Sequence, residues 1–239
     1  MMKTVLHKAE ERGYADHGWL KAYYSFSFAN YYNPANINFG ALRVLNDDTI
    51  DAGKGFGTHP HDNMEIITIP LSGEIEHKDS MGNSGVISEG EIQVMSAGTG
   101  IQHSEFNKNQ KEELKVLQIW IFSNQKNVEP RYDQISLKSI EKENELFQIL
   151  SPNKDDEGVW IHQDAWFHLG NLRKDWNGEY RLKGKNHGVY LFVINGKISI
   201  GNHELFKRDS IEITETDNFK IEALSDSRIL IMEVPMLIN

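Results

Sequence analysis

Two short segments place donor groups at i, i+2 spacing: His59-Pro60-His61 and His103-Ser104-Glu105. Residues two apart on an extended strand project to the same face, so each pair can present two donors inward from neighbouring strands. Imidazole nitrogen suits iron, copper, nickel and zinc, and one carboxylate lowers the net charge of a divalent site and favours harder ions. Three histidines and one glutamate leave one or two positions open on an ion that takes five or six ligands. Such positions would receive a substrate oxygen or dioxygen. A single His-x-His in a β protein is more often a surface or hydrogen-bonded pair. Here there are two pairs, each behind a glycine-rich approach at residues 53–58 and 97–101, which suits tight turns delivering strands to one crowded site. Glu65 shares the strand parity of His59 and His61, so parity does not choose between Glu65 and Glu105. The alternative role for Glu65 is an acceptor that holds a ligating imidazole by its ring N–H.

The elements that must carry these residues read as short strands. Apolar runs at 64–71, 92–95, 114–122, 188–193 and 228–234 are rich in Ile, Val, Phe and Tyr and are separated by Gly, Asn and Asp. Val116, Gln118 and Trp120 alternate with Leu117, Ile119 and Ile121, which predicts an antiparallel sandwich or barrel. Hairpin turns are expected at Met81-Gly82-Asn83-Ser84-Gly85 and at Asn195-Gly196. Helix is expected to be scarce, with a turn or two around 139–145. Leu71-Ser72-Gly73-Glu74-Ile75 resembles Ile194-Asn195-Gly196-Lys197-Ile198, and each precedes a second strand, at 90–94 and 209–213. Two β-barrels of one kind fit this repeat. Residues 129–156 look like the crossover, giving domains of 1–135 and 136–239 with the boundary near residue 135. Aligning the repeats puts Leu182 and Gly184 at the places of His59 and His61, and Glu222 and Leu224 at those of His103 and Glu105. Only the first barrel is therefore expected to hold metal, with the second a packing partner or lid.

Composition limits the rest. The 239 residues carry 25 Lys and Arg against 35 Asp and Glu, a formal charge of -10 that disfavours direct binding of nucleic acid or an anionic membrane. With no cysteine, disulfides, thiolate nucleophiles and Cys-ligated metal centres are excluded. The start turns charged at once and no apolar run approaches about 20 residues, so a soluble cytoplasmic protein is expected. His17, His77, His162, His168, His187 and His203 stand outside any i, i+2 pair and are read as structural or surface residues. Trp19, Tyr23, Tyr24, Phe26, Phe28, Tyr31 and Tyr32 are read as core and sheet face.

Residues 57–65, Gly57-Thr58-His59-Pro60-His61-Asp62-Asn63-Met64-Glu65, and residues 95–105, from Met95-Ser96-Ala97-Gly98 to Gln102-His103-Ser104-Glu105, resemble the two signature segments of the pirin family. The opening, Arg12-Gly13 through His17-Gly18-Trp19-Leu20 to Phe26-Ser27-Phe28, and the segment His77-Lys78-Asp79-Ser80-Met81-Gly82-Asn83 are similar to it too. The chain most resembles the short bacterial pirins described as quercetin 2,3-dioxygenases. The resemblance covers residues 10–135 and beyond them is mainly one of strand pattern. It implies an all-β bicupin, two consecutive cupin jelly-roll barrels, with metal in the N-terminal one. The family's three His and one Glu match His59, His61, His103 and Glu105, so resemblance decides for Glu105 where spacing does not. Ser96 stands where cupins often carry proline, a departure that pirins share. The resemblance further implies one divalent transition metal ion, iron(II) first and copper, nickel, zinc or manganese as alternatives. A flavonol such as quercetin and dioxygen would be the substrates, with the ring opened, carbon monoxide lost and Glu105 as catalytic base. Other pirins are described as partners of transcription factors or metabolic enzymes, so a non-enzymatic, metal-dependent interaction protein is the competing expectation. A cupin acting on another small molecule is the third.

Overall fold

The structure is a computed structural model and describes residues 2–237. The chain begins with β1 (Lys3–His7), β2 (Gly13–Asp16), β3 (Leu20–Tyr24), β4 (Leu42–Ile50), β5 (Gly55–His61) and β6 (Met64–Ser72). It continues through β7 (Glu74–Asp79), β8 (Ser84–Ser88), β9 (Glu91–Ser96), β10 (Ile101–Asn107), β11 (Leu114–Phe122) and β12 (Arg131–Ser136). The second half holds β13 (Leu146–Ser151), β14 (Val159–Trp160), β15 (Trp166–Leu172), β16 (Asn177–Arg181) and β17 (His187–Asn195). It ends with β18 (Lys197–Ile200), β19 (His203–Phe206), β20 (Ser210–Thr214), β21 (Asn218–Ala223) and β22 (Ser227–Pro235). Among the described residues, helix is limited to the 3-10 turns Ala9–Glu11 and Leu137–Ser139. None is long and apolar enough to cross a membrane.

Each half is a cupin jelly roll of two facing sheets. In the first, the seven-stranded sheet β12-β9-β6-β11-β4-β3-β2 faces the four-stranded sheet β5-β10-β7-β8. In the second, β1-β20-β17-β22-β15-β13-β14 faces β16-β21-β18-β19. β1 pairs antiparallel with β20, so the first strand of the chain completes the sheet of the second jelly roll. Residues 129–156 are not only a connection: they hold β12, an edge strand of the first large sheet, and β13 of the second.

The alternation along β11 has two buried faces. Val116, Gln118 and Trp120 point into the first jelly roll, while Leu117, Ile119 and Ile121 join a core shared with Tyr190, Phe192, Leu230, Met232 and Val234 of the second. The two large sheets therefore pack face to face. Each buried aliphatic side chain there contributes roughly 1.5–3 kcal/mol, so each half stabilises the other. Residues 1–135 made alone would expose this face and leave β1 unpaired. They are expected to show no cooperative thermal transition by circular dichroism; a sharp melt like that of the whole chain would show that the halves fold independently.

Gly73 and Gly196 take φ of +83° and +89° at corresponding corners, where the chain leaves a large sheet for a small one. Asn195-Gly196 is thus not the hairpin expected from its residue types. Its turn chemistry is that of a tight corner, and β17 and β18 lie in different sheets. β7 and β8 do form a hairpin, with Asp79 Oδ1 accepting the N–H groups of Met81 and Asn83 at 2.9 and 3.0 Å.

Candidate metal centre

β5 and β10 run antiparallel with His59 opposite His103 and His61 opposite Ile101. The strand alternation brings the three imidazoles together, with ring centroids 4.9 Å apart for His59 and His61, 4.4 Å for His59 and His103, and 4.9 Å for His61 and His103. A register shift between His103 and Glu105 sets Glu105 opposite Phe56 on β5 and opposite His77 on β7. One potential ligand atom from each of His59, His61 and His103 lies within 4.8 Å of the other two. His77, His103 and Glu105 form a second triad by the same measure, so His103 is the hinge between two overlapping groups.

The electrostatics favour lone pairs over protons. Burial, then the neighbouring His59, lowers His61 to about 4. Burial, then His59, His61 and His77, lowers His103 to about 2. Both rings are neutral at ordinary pH. His59 donates Nδ1–H to the Gly57 carbonyl at 2.8 Å, which leaves Nε2 free as a lone-pair donor. Burial pushes Glu105 up to about 7, against the hydrogen bonds from Gln118 Nε2 at 2.8 Å and Thr68 Oγ1 at 3.3 Å that favour its anion.

These residues fit a metal ion. His103 is 2% exposed and neither of its ring nitrogens has a hydrogen-bond partner. Leaving such a group unpaired costs about 1–3 kcal/mol, a penalty that a metal–nitrogen bond removes. The donors are nitrogen and oxygen only, which suits a divalent transition ion.

Glu65 sits elsewhere. Asn63, with φ of +47°, turns the chain between β5 and β6 and breaks the parity that linked Glu65 to the histidines. On β6, Thr68 reaches Glu105 inside the jelly roll, while Glu65 shares the opposite face with Ile67 and Ile69 of the shared core. Its carboxyl accepts from Ser96 Oγ at 2.6 Å and holds no imidazole N–H. Burial, opposed by Ser96, raises it from 4.5 to about 7. Between those two values the folded chain holds a proton that the unfolded chain has lost. The group's contribution to stability therefore falls as pH rises through this window and stays low above it, by about 3 kcal/mol in all. Glu65→Gln is expected to be more stable than the wild type at pH 8 and nearly equal to it at pH 4.5; parallel denaturant titrations check this, and equal differences at both pH values would sink it.

His77, read from sequence as a lone histidine, is fully buried in the second triad, with Nε2 3.4 Å from Asp79 Oδ2 and its ring 5.4 Å from that of His103. Only the pairing of β7 with β10 shows this, because no second donor of its triad is near it in sequence. The aromatic cluster divides: Phe26 is core, Tyr32 is exposed, and Trp19, Tyr24 and Phe28 line a cavity of about 460 Å³ that also reaches His59, His61 and Glu105. Among the described residues, the positions aligned with the histidines in the second half form no metal-ligating group: Gly184 gives its N–H to Glu233, and Glu222 is exposed.

Among known proteins, the family described as Pirin matches residues 5–121, and one described as Quercetinase C-terminal cupin domain matches residues 148–234. A quercetin 2,3-dioxygenase of Escherichia coli (strain K12) is 42% identical over 230 residues, covering 96% of this chain and 98% of that protein. The crystal structure of YhhW from Escherichia coli is similar with a TM-score of 0.94 and 41% identity, covering 99% of this chain and 100% of that one. A second structure, bacterial pirin YhhW in complex with nickel(II) from Escherichia coli, gives 0.93 and 41%, covering 98% and 100%.

Proposed function

This chain belongs to the pirin family, and on that premise we propose that it is a metal-dependent dioxygenase cleaving flavonols such as quercetin by 2,3-dioxygenation with release of carbon monoxide. The observation that carries the reading is a cluster of three imidazoles, two of which, His59 and His61, stand with the buried Glu105 carboxyl on the wall of an aromatic cavity of about 460 Å³. His59, His61, His103 and Glu105 would hold the ion. Iron(II) is the first choice, and copper, nickel, zinc and manganese suit the same donors. The ion, when bound, supplies Lewis acidity and a common template for flavonolate and dioxygen.

The chain supplies the proton handling and the shape. Glu105 accepts the proton of the flavonol 3-hydroxyl, which requires an approach to within about 3 Å. Gln118 and Thr68 keep its carboxylate aimed, and their hydrogen bonds favour the anion against the burial that raises it. Trp19, Phe28, Phe56 and Trp120 give walls for a flat aromatic and exclude water. Flavonol and dioxygen together supply every atom of the cleaved ester and carbon monoxide, so no external reductant is required.

The test is to load the protein with iron(II), nickel or copper and follow quercetin loss together with carbon monoxide release. Turnover with at least one metal supports the reading. Intact metal binding with no turnover by any of them sinks it and favours the metal-dependent interaction protein.

A further inference from the structure

The cavity has polar groups that neither the metal donors nor their supports account for. Asn46 and Asp48 lie on β4, with Asn46 opposite Gln118 and Asp48 opposite Val116 on β11. Both line the cavity, both are at most 5% exposed, and the Oδ1 atom of each has no hydrogen-bond partner. Trp120 Nε1 on the same wall is also buried without a partner. Gln118 differs, since its amide is engaged by Glu105 and Thr68. Buried polar groups in a folded protein are normally satisfied, and three orphans around one apolar cavity call for a ligand.

The second jelly roll shows what a self-contained version looks like. The corner glycines Gly73 and Gly196 align Ser72 with Asn195; their β11 and β22 partners, Lys115 and Arg228, then align, which sets Trp120 against Glu233. Val44 pairs with Trp120 and Trp166 with Glu233, so Asn46 corresponds to His168. There the polar groups satisfy one another: Tyr180 OH bonds Glu233 Oε2 at 2.9 Å and lies 3.3 Å from His168 Nδ1. In the first jelly roll the same places are left open toward the cavity.

We propose that Asn46 and Asp48 form a second polar pole of the cavity that binds a substrate hydroxyl other than the one at the metal, and so select polyhydroxylated over monohydroxylated flavonols. This rests on the flavonol reading of the site. Burial, then Asp47 and Glu105, holds the Asp48 carboxyl well above the ordinary range, so it can both donate and accept without placing a bare charge among aromatic rings. Trp120 Nε1–H offers a donor to a carbonyl or ether oxygen of the same ligand.

Equilibrium binding to the zinc-loaded protein separates this from turnover, with quercetin and 3-hydroxyflavone as probes. They share the 3-hydroxy-4-keto edge and differ in their other hydroxyls. Wild type is expected to prefer quercetin by about tenfold or more, the worth of one well-made hydrogen bond. Asp48→Leu and Asn46→Leu should each reduce that preference to within about threefold while leaving 3-hydroxyflavone affinity unchanged, and Asp48→Asn should retain it. Thermal unfolding should show Asp48→Leu at least as stable as wild type, since an orphaned group is removed. Asp48→Asn and Asn46→Leu give the answer should Asp48→Leu fail to fold. An undiminished preference in the leucine variants overturns the proposal, as does a wild type that binds neither flavonol or both equally. Quercetin bound with the expected preference but not consumed by the metal-loaded enzyme would instead count against the dioxygenase reading alone.

Discussion

His61→Ala is expected to strip the centre of its metal: occupancy measured on purified protein should fall to a small fraction of wild type, and flavonol cleavage should fall with it. His61 supplies one of the three imidazoles of the His59, His61 and His103 cluster, whose donor atoms lie within 4.8 Å of one another. Loss of a group that merely supports a ligand costs about 10–100-fold in metal affinity, and loss of the ligand itself should exceed that. The fold should survive, because His61 is only partly buried at the cavity wall, where its ring and that of Trp120 pack in a T-shape with centroids 4.8 Å apart. An unchanged melting temperature of the metal-free protein separates ligand loss from unfolding. Near-full metal occupancy in the variant would show that the ion is held by the other triad, His77, His103 and Glu105. The same measurement on His77→Ala makes the comparison complete, since the ligand set drawn from resemblance leaves His77 out.

Much of this site is legible in the order of the amino acids. The two i, i+2 pairs need only the period of a strand, and the strand at 114–122 is legible to the residue because both of its alternating sets are apolar enough to stand out. What is not legible has two causes: sequence shows the period of a strand but neither the turn that breaks it nor the strand's partner. Glu65 keeps its apparent parity with His61 only if the chain stays extended through Asp62-Asn63, and the left-handed Asn63 ends that. His77 looks solitary because its companions, His103 and Glu105, come from the paired strand β10. Asn46 and Asp48 belong to a polar stretch, Asn46-Asp47-Asp48, whose composition suits a loop equally well. In the fold Asp47 turns the other way, toward Arg12 and Arg208 at 3.2 and 2.9 Å, while its neighbours face the cavity. The shared core is hidden for the same reason. Runs such as Val189-Tyr190-Leu191-Phe192 are apolar at every position because each face of the strand packs against a different partner.

The polar network of the second jelly roll should be as costly to break as the metal centre is, but in stability and not in activity. Glu233 is fully buried on β22, where Oε1 accepts the N–H groups of Lys183 and Gly184 at 2.8 Å each and His187 Nδ1 at 3.1 Å, and Oε2 accepts Tyr180 OH at 2.9 Å. Burial, then Glu233 itself, raises the Tyr180 hydroxyl, so its proton is held firmly as a donor. Glu233→Ala would leave these donors facing a space with no acceptor. Each lost bond to a charged group is worth about 1.5–3 kcal/mol, and because the losses are coupled a total of about 3–5 kcal/mol is expected. For a chain of this size that lowers the melting temperature by roughly 10 °C. Glu233→Gln should cost less, because an amide oxygen still serves two or three of the donors. Metal occupancy of the folded variant should stay at the wild-type level, since the network and the imidazole cluster lie in different jelly rolls and share no hydrogen bond. A Glu233→Ala protein that melts like wild type would mean that the loop at 182–186 rearranges to supply its own acceptor. Loss of metal at unchanged stability would mean instead that the second jelly roll tunes the centre directly.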